Sequence, residues 1–88
     1  IKWRTEEEAL AIANGTEYGL AAGVWTQDLK IAMNMARRLQ SGFVWINATA
    51  RHFVGTPFGG WKNSGLGLEE CLAELLSYTH NKAVHVFV

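Results

Sequence analysis

One loop concentrates the residue types able to do chemistry. Thr56 to Gly67 holds four glycines, Pro57 and the aromatics Phe58 and Trp61, just ahead of an amphipathic stretch. Glycine is this dense where backbone turns sharply or passes close to another group, and such loops commonly carry function. Phosphate binding is the first chemistry to test. A P-loop needs lysine and a hydroxyl after its second glycine, but Leu66 and Gly67 stand there. A dinucleotide fingerprint opening at Gly65-Leu66-Gly67 would need a third glycine where Glu70 stands, and a strand where a loop precedes it. Both readings fail on their own spacing.

The remaining reactive side chains are few. His52, in the long loop beside Phe53, is the histidine expected to line a pocket. His80 and His85 have no acidic or sulfur ligand at metal-site spacing and are expected to be ordinary surface residues. Cys71 lies on an apolar stripe with leucines one and four positions on. It is expected to be a small buried packing residue, because a reactive thiol needs an electropositive, partly exposed setting. Glu17 reads as a solvated turn residue. Asn14-Gly15-Thr16 and Asn47-Ala48-Thr49 fit the glycosylation pattern, which matters only in a secreted protein. The chain shows no serine–histidine–acid set and no carboxylate pair in a pocket setting, so a pocket loop is expected here without catalytic machinery.

The elements that must hold this loop are legible from periodicity. Ile1 to Arg4 alternates as a strand tail does. Thr5-Glu6-Glu7-Glu8 is a capping box, opening a helix from Glu6 to about Ala13 that Asn14-Gly15 closes in a left-handed cap. Ala21 to Trp25 and Phe43 to Ile46 are apolar runs without alternation, read as strands buried on both faces. Between them, Thr26-Gln27-Asp28 starts a helix whose stripe is Leu29, Ala32, Met33, Ala36 and Leu39. Asn47 to Gly67 shows no helical period and is a long loop, of the kind that is functional when it is not disordered. Leu68, Cys71, Leu72, Leu75 and Leu76 mark a third helix, and Ala83 to Val88 a terminal strand. The fold class is therefore α/β: a βαβαβ parallel sheet with right-handed crossovers, a long Gly-rich loop, a third helix and a C-terminal strand. Ligands in such sheets bind beyond the carboxyl ends of the strands, which puts Asn47 to Gly60 at the expected pocket.

Bulk properties bound the function. The chain has 88 residues, formal net charge +0 and 49% hydrophobic residues with four tryptophans. A neutral chain offers no nucleic-acid footprint. No apolar run reaches the ~18 residues of a membrane span. A single cysteine excludes an internal disulfide and suits a reducing compartment, and with no visible signal peptide the expected location is cytoplasmic. So much apolar surface on so short a chain points to contact with polypeptide beyond it, as does the opening mid-pattern at Ile1.

Three motifs in order then carry a resemblance. Glu17-Tyr18-Gly19-Leu20-Ala21-Ala22-Gly23-Val24-Trp25-Thr26, Gly42-Phe43-Val44-Trp45-Ile46-Asn47 and Pro57-Phe58-Gly59-Gly60-Trp61-Lys62-Asn63-Ser64-Gly65 resemble the carboxyl-terminal part of the aldehyde dehydrogenase superfamily, the C-terminal segment of its catalytic and oligomerisation region. Ser77-Tyr78-Thr79 followed by Lys82-Ala83-Val84 fits as well. The resemblance covers essentially residues 1–88, which would be a partial domain of a larger aldehyde dehydrogenase fold.

It implies an enzyme that oxidises an aldehyde to a carboxylic acid with NAD or NADP. A cysteine thiolate attacks the carbonyl, hydride passes to the nicotinamide, and a glutamate activates the water that hydrolyses the thioester. The family places that cysteine, that glutamate and the dinucleotide-binding domain upstream of the matched part. Cys71 falls outside the cysteine motif, so no catalytic residue is expected in this segment, which alone would be inactive. The resemblance implies a substrate tunnel lined by Phe58, His52 and Phe53, with Leu20 near the nicotinamide and Asn47, Gly59 and Gly60 fixing the loop. Backbone carbonyls at Lys62 and Gly65 match the positions where some members hold a monovalent cation; no other metal is implied. Trp61 stands where tyrosine is frequent, Leu68 where arginine is, and Cys71 where glycine is. Arg51-His52-Phe53 gives the tunnel a polar edge beside an aromatic wall, so aromatic or polar aldehydes are expected over long aliphatic ones. Residues 83–88, with Val84, Val86 and Val88 on one face, are the expected oligomerisation strand of a homodimer or homotetramer. The competing expectation is a freestanding, non-catalytic α/β module that binds a small ligand or a partner.

Overall fold

The computed structural model describes residues 1–88. Thr5 is extended, and its hydroxyl accepts from the Glu8 N–H at 3.2 Å, which opens helix α1 (Glu6–Asn14). Glu8 reaches back to the Arg4 N–H at 2.9 Å. The capping box thus closes one residue earlier than the Thr5 N–H. Three glutamates in the first turn complement the helix dipole. The far end differs from the expected left-handed cap. Gly15 has φ −76, and its N–H bonds the Ile12 carbonyl at 3.3 Å in a tight last turn. Asn14 is instead a cross-link: its Nδ2 donates to the Arg38 carbonyl at 3.0 Å and its Oδ1 accepts from the Gln40 N–H at 2.8 Å.

Two short strands follow, β1 (Tyr18–Gly19) and β2 (Ala21–Val24). Asp28 caps helix α2 (Leu29–Arg38) by accepting from the N–H groups of Lys30 and Ile31. β3 (Phe43–Ile46) then runs parallel to β2, with Ala21 opposite Phe43 and Val24 opposite Ile46. After the loop come β4 (Phe58–Gly59), β5 (Trp61–Lys62), β6 (Leu68–Glu69) and helix α3 (Leu72–Ser77). β5 lies antiparallel to β1, and β6 antiparallel to β4.

The mixed α/β character holds, with several corrections. One βαβ unit forms, β2–α2–β3, where two were expected: Ile1 to Arg4 joins no ladder, because a strand exists only through a partner and none lies beside it. Residues 83–88 likewise pair with nothing in this chain and form no strand here. The strands expected to be buried on both faces are not: β2 alternates exposed and half-buried, and β3 is half-buried throughout, because the chain supplies no second layer. On α2 the covered stripe is Ala32, Met35, Ala36 and Leu39, while Leu29 and Met33 are exposed. The third helix begins at Leu72; Leu68 belongs to β6 and Cys71 is the N-cap residue.

Only 5 of 88 residues are buried, and the apolar core is Leu10, Ala32 and Leu39. An accessible surface of 7415 Å² compares with about 5,200 Å² for a compact chain of this mass. The radius of gyration is 18.2 Å, against about 12 Å for a compact domain of this length. Most of the apolar surface therefore has no cover within the chain. Arg38 bridges α2 to α1 through a two-pronged pair with the Glu7 carboxylate. That hydrogen bond holds the Glu7 pKa below the ordinary carboxylate range and keeps Arg38 charged.

Candidate functional site

At the carboxyl end of β3 the chain folds back on itself. Asn47 ends the strand in the left-handed region, φ 55, where asparagine is tolerated better than most residues. Its Oδ1 accepts from the Thr26 N–H at 2.9 Å, and its Nδ2 donates to the Thr26 carbonyl at 2.8 Å. The first residue after β3 is thereby tied to a residue just past β2. The Trp45 indole N–H reaches over the turn to the Arg51 carbonyl at 2.7 Å. These bonds bring His52 back onto the strand it left.

His52 sits within an aromatic cluster. Its ring stacks on Phe43 at 5.7 Å and meets Phe58 edge-on at 4.9 Å and Trp45 edge-on at 5.7 Å. Phe43 also contacts Phe58 at 5.5 Å and Trp45 at 4.8 Å. Edge and tilted arrangements are those that aromatic quadrupoles favour. The imidazole Nδ1 lies 2.9 Å from a Glu70 carboxylate oxygen. A cavity of about 430 Å³ opens beside it, lined by His52, Val54, Gly55, Glu70, Cys71 and Leu72 among others. Cys71 is half-buried on that cavity rather than sealed in a core, because α3 starts only after it.

The glycines earn their places by close approach. A Cβ on Gly59 would lie 2.6 Å from the Gly67 carbonyl oxygen, and one on Gly60 would lie 2.9 Å from that of Ser64. Lys62, at φ 52, extends its ammonium to the carbonyls of Asn14 and Thr16 at 2.9 and 3.0 Å, which anchors the glycine loop to the end of α1. Gly65 adopts φ 128. Ser64 Oγ accepts from the Gly19 N–H at 2.9 Å. No group of three or more histidine, cysteine, aspartate or glutamate side chains could hold a metal ion.

Of the residues expected at the tunnel, the structure brings His52 and Phe58 together. It leaves Phe53 out: that ring is 69% exposed and joins neither the cluster nor the cavity. Leu20 is half exposed in a separate groove lined by Ala13, Thr16, Tyr18 and Ser64. Sequence reasoning missed Glu70, which had figured only as the residue spoiling a glycine fingerprint. It also missed Phe43 and Trp45, expected only as members of a strand buried on both faces. The order Phe43-Val44-Trp45 was the available signal, since alternate strand residues share a face.

The chain matches the model of the aldehyde dehydrogenase family over residues 1–84. It is 43% identical over 86 residues to the aldehyde dehydrogenase tropH of Talaromyces stipitatus, covering 98% of this chain and 17% of the relative. It is 49% identical over 86 residues to a betaine aldehyde dehydrogenase of Cereibacter sphaeroides, covering 98% of this chain and 18% of that protein. Among solved structures it is similar to an indole-3-acetaldehyde dehydrogenase of P. syringae in complex with NAD+ and IAA, at TM-score 0.83 and 46% identity over 89% of this chain and 16% of the other. The chain thus spans less than a fifth of the length of the curated relatives it matches.

Proposed function

The chain belongs to the aldehyde dehydrogenase family, and from that premise we propose that it is the carboxyl-terminal segment of an NAD(P)-dependent enzyme oxidising an aldehyde to a carboxylic acid. Its part is to wall the aldehyde's binding tunnel. The observation that carries this is the folding of the loop back onto β3, which sets His52 and Phe58 in one aromatic face over Phe43 and Trp45, along the strand rather than beyond its carboxyl end as the topology suggested. That face is mostly apolar, and His52 supplies one polar group to orient what binds.

The segment holds no catalytic residue; the attacking thiolate and the water-activating carboxylate come from other parts of the enzyme. The cofactor accepts hydride when bound. The chain has no dinucleotide-binding loop, so its fit to that group extends to packing the exposed Leu20 side chain near the nicotinamide. Asn47, Gly59 and Gly60 fix the wall. For a monovalent cation the chain offers backbone oxygens only, those of Lys62 and Gly65, and the Lys62 ammonium is already held by Asn14 and Thr16.

Residues 83–88 are proposed to pair with another copy in a homodimer or homotetramer, since Val84, Val86 and Val88 are each at least 75% exposed. Phe53, also uncovered, would then meet tunnel residues from the rest of the enzyme. The proposed compartment is the cytoplasm, on the single cysteine; no helix of the chain is long and apolar enough to cross a membrane. A freestanding module is not favoured, because a chain with three buried apolar residues has little of its own to fold around.

Kinetics on the full-length enzyme with NAD or NADP test the reading. Aromatic or polar aldehydes should give higher kcat/KM than long aliphatic ones. A clear preference for long-chain aliphatic aldehydes would contradict the aromatic wall.

A further inference from the structure

We propose that Lys62 caps the carboxyl end of α1 from the glycine loop, and that this one ammonium is a clasp holding α1, α2 and the loop together. The inference rests on contacts within the chain and not on the tunnel reading above.

Helix α1 is electrically one-sided. Three glutamates fill its first turn, and its last turn holds no basic residue. That end of a helix carries partial negative charge on carbonyls without a partner in the helix. A lysine side chain can satisfy both needs, but the residues that follow α1 are Gly15, Thr16 and Glu17. The cation comes instead from 48 positions away: the Lys62 ammonium donates to the Asn14 carbonyl at 2.9 Å and to the Thr16 carbonyl at 3.0 Å. Hydrogen bonds from an ionised donor are the stronger kind.

The backbone of Lys62 stands at φ 52, a conformation that costs a residue with a Cβ free energy and persists only where the surroundings fix it. Glycine would sit there without that cost, and the loop uses glycine at four nearby positions, Gly59, Gly60, Gly65 and Gly67. A lysine at such a place is explained by what its side chain holds.

The clasp joins three elements. Asn14, which receives the ammonium on its carbonyl, spends its side chain on the end of α2, donating to the Arg38 carbonyl and accepting from the Gln40 N–H. On the loop side, Lys62 pairs with Tyr18 in the β1–β5 ladder, the Asn63 N–H donates to the Glu17 carbonyl at 3.0 Å, and the Gly19 N–H donates to Ser64 Oγ at 2.9 Å. A two-residue ladder is marginal by itself. Lys62 is exposed, so losing the clasp should open this corner locally rather than unfold the enzyme.

Hydrogen exchange read by mass spectrometry on the full-length enzyme, without substrate, tests the clasp. Lys62→Met keeps the stem and removes the charge. It should speed exchange in the peptides carrying Gly19, Asn63 and the last turn of α1 by roughly fivefold, the scale of one hydrogen bond, and leave β3 unchanged. Lys62→Gly relieves the backbone and should exchange there at least as fast as Lys62→Met. Lys62→Arg keeps a cation with several donors and should stay within about twofold of the wild type. A Lys62→Gly enzyme as slow as the wild type would overturn the inference, since backbone conformation would then outweigh the ammonium. So would Lys62→Arg exchanging as fast as Lys62→Met, or a rise in Lys62→Met spread evenly over the enzyme. None of these results bears on the aldehyde, so the tunnel reading stands or falls separately.

Discussion

The segment from α1 through β3 and the segment from Asn47 to Glu70 are held by different physics. The first is ordered by caps, a parallel ladder and burial: Leu10, Ala32 and Leu39, the whole apolar core, lie in it. The second buries only Gly59 and contains every residue of positive φ in the chain, at Asn47, Ala50, Gly55, Lys62, Gly65 and Glu70. It is held by two-residue antiparallel ladders and by point contacts: Asn47 on Thr26, Trp45 on Arg51, Lys62 on Asn14 and Thr16. A scaffold can rely on diffuse burial because many contacts share the load. A loop that must present a wall to a ligand has little core to draw on, so backbone conformation and individual hydrogen bonds do the positioning.

The sharpest way to break this contrast is at the seam. A Cβ on Gly42 would lie 1.7 Å from the Gly59 carbonyl oxygen, backbone against backbone. Gly42→Ala should destabilise the enzyme by about 3 kcal/mol through overpacking, read as a fall in thermal midpoint. Gly55→Ala, with nothing within 4 Å of its Cβ, should cost only about 1 kcal/mol from its positive φ. Equal effects would mean that close packing does not set the seam. Next, Asn47→Ala removes both bonds to Thr26 and the tolerance for φ 55. It should cost about 2 kcal/mol in urea unfolding and lower kcat/KM, whereas Asn47→Gly, free at that φ, should be milder. An Asn47→Gly variant as damaged as Asn47→Ala would assign the role to the hydrogen bonds alone.

Phe58→Ala should lower kcat/KM for an aromatic aldehyde by roughly tenfold, the scale of a lost aromatic pair, with a smaller change for a short aliphatic aldehyde. Equal losses for both would make Phe58 a packing residue only. The smallest effect belongs to the scaffold's surface pair. Arg38 lowers the folded-state pKa of Glu7, so the pair stabilises above the unfolded carboxylate's pKa and is lost as pH falls through the folded value. Glu7→Gln should therefore narrow the stability gap between neutral and acid pH. Both side chains are substantially exposed, so the shift should be slight. A wider gap would show that Glu7 is not stabilised in the folded state.

What could be foreseen follows the same division. The Thr5 and Glu8 side chains gave the start of α1, Thr26-Gln27-Asp28 gave the start of α2, and the apolar run at Phe43 located β3. These signals are local, within three or four residues. The facing of β2 was misjudged, and so was the stripe of α2, because which side is covered depends on elements outside the chain's own local pattern. In the loop, the glycine density and the isolated His52 marked the right stretch. Glu70 could not be paired with His52 in advance, because they lie eighteen positions apart and a left-handed turn brings them together, and neither leaves a periodic trace. The two-residue strands β4, β5 and β6 are equally silent, being too short for alternation to show.

The central claim is that the loop after β3 faces the substrate. A crystal structure of the full-length enzyme with an aromatic carboxylate product bound addresses it directly. The account predicts the product's ring in contact with the side chains of His52 and Phe58. A product bound elsewhere, with those two rings turned to open solvent, would contradict it.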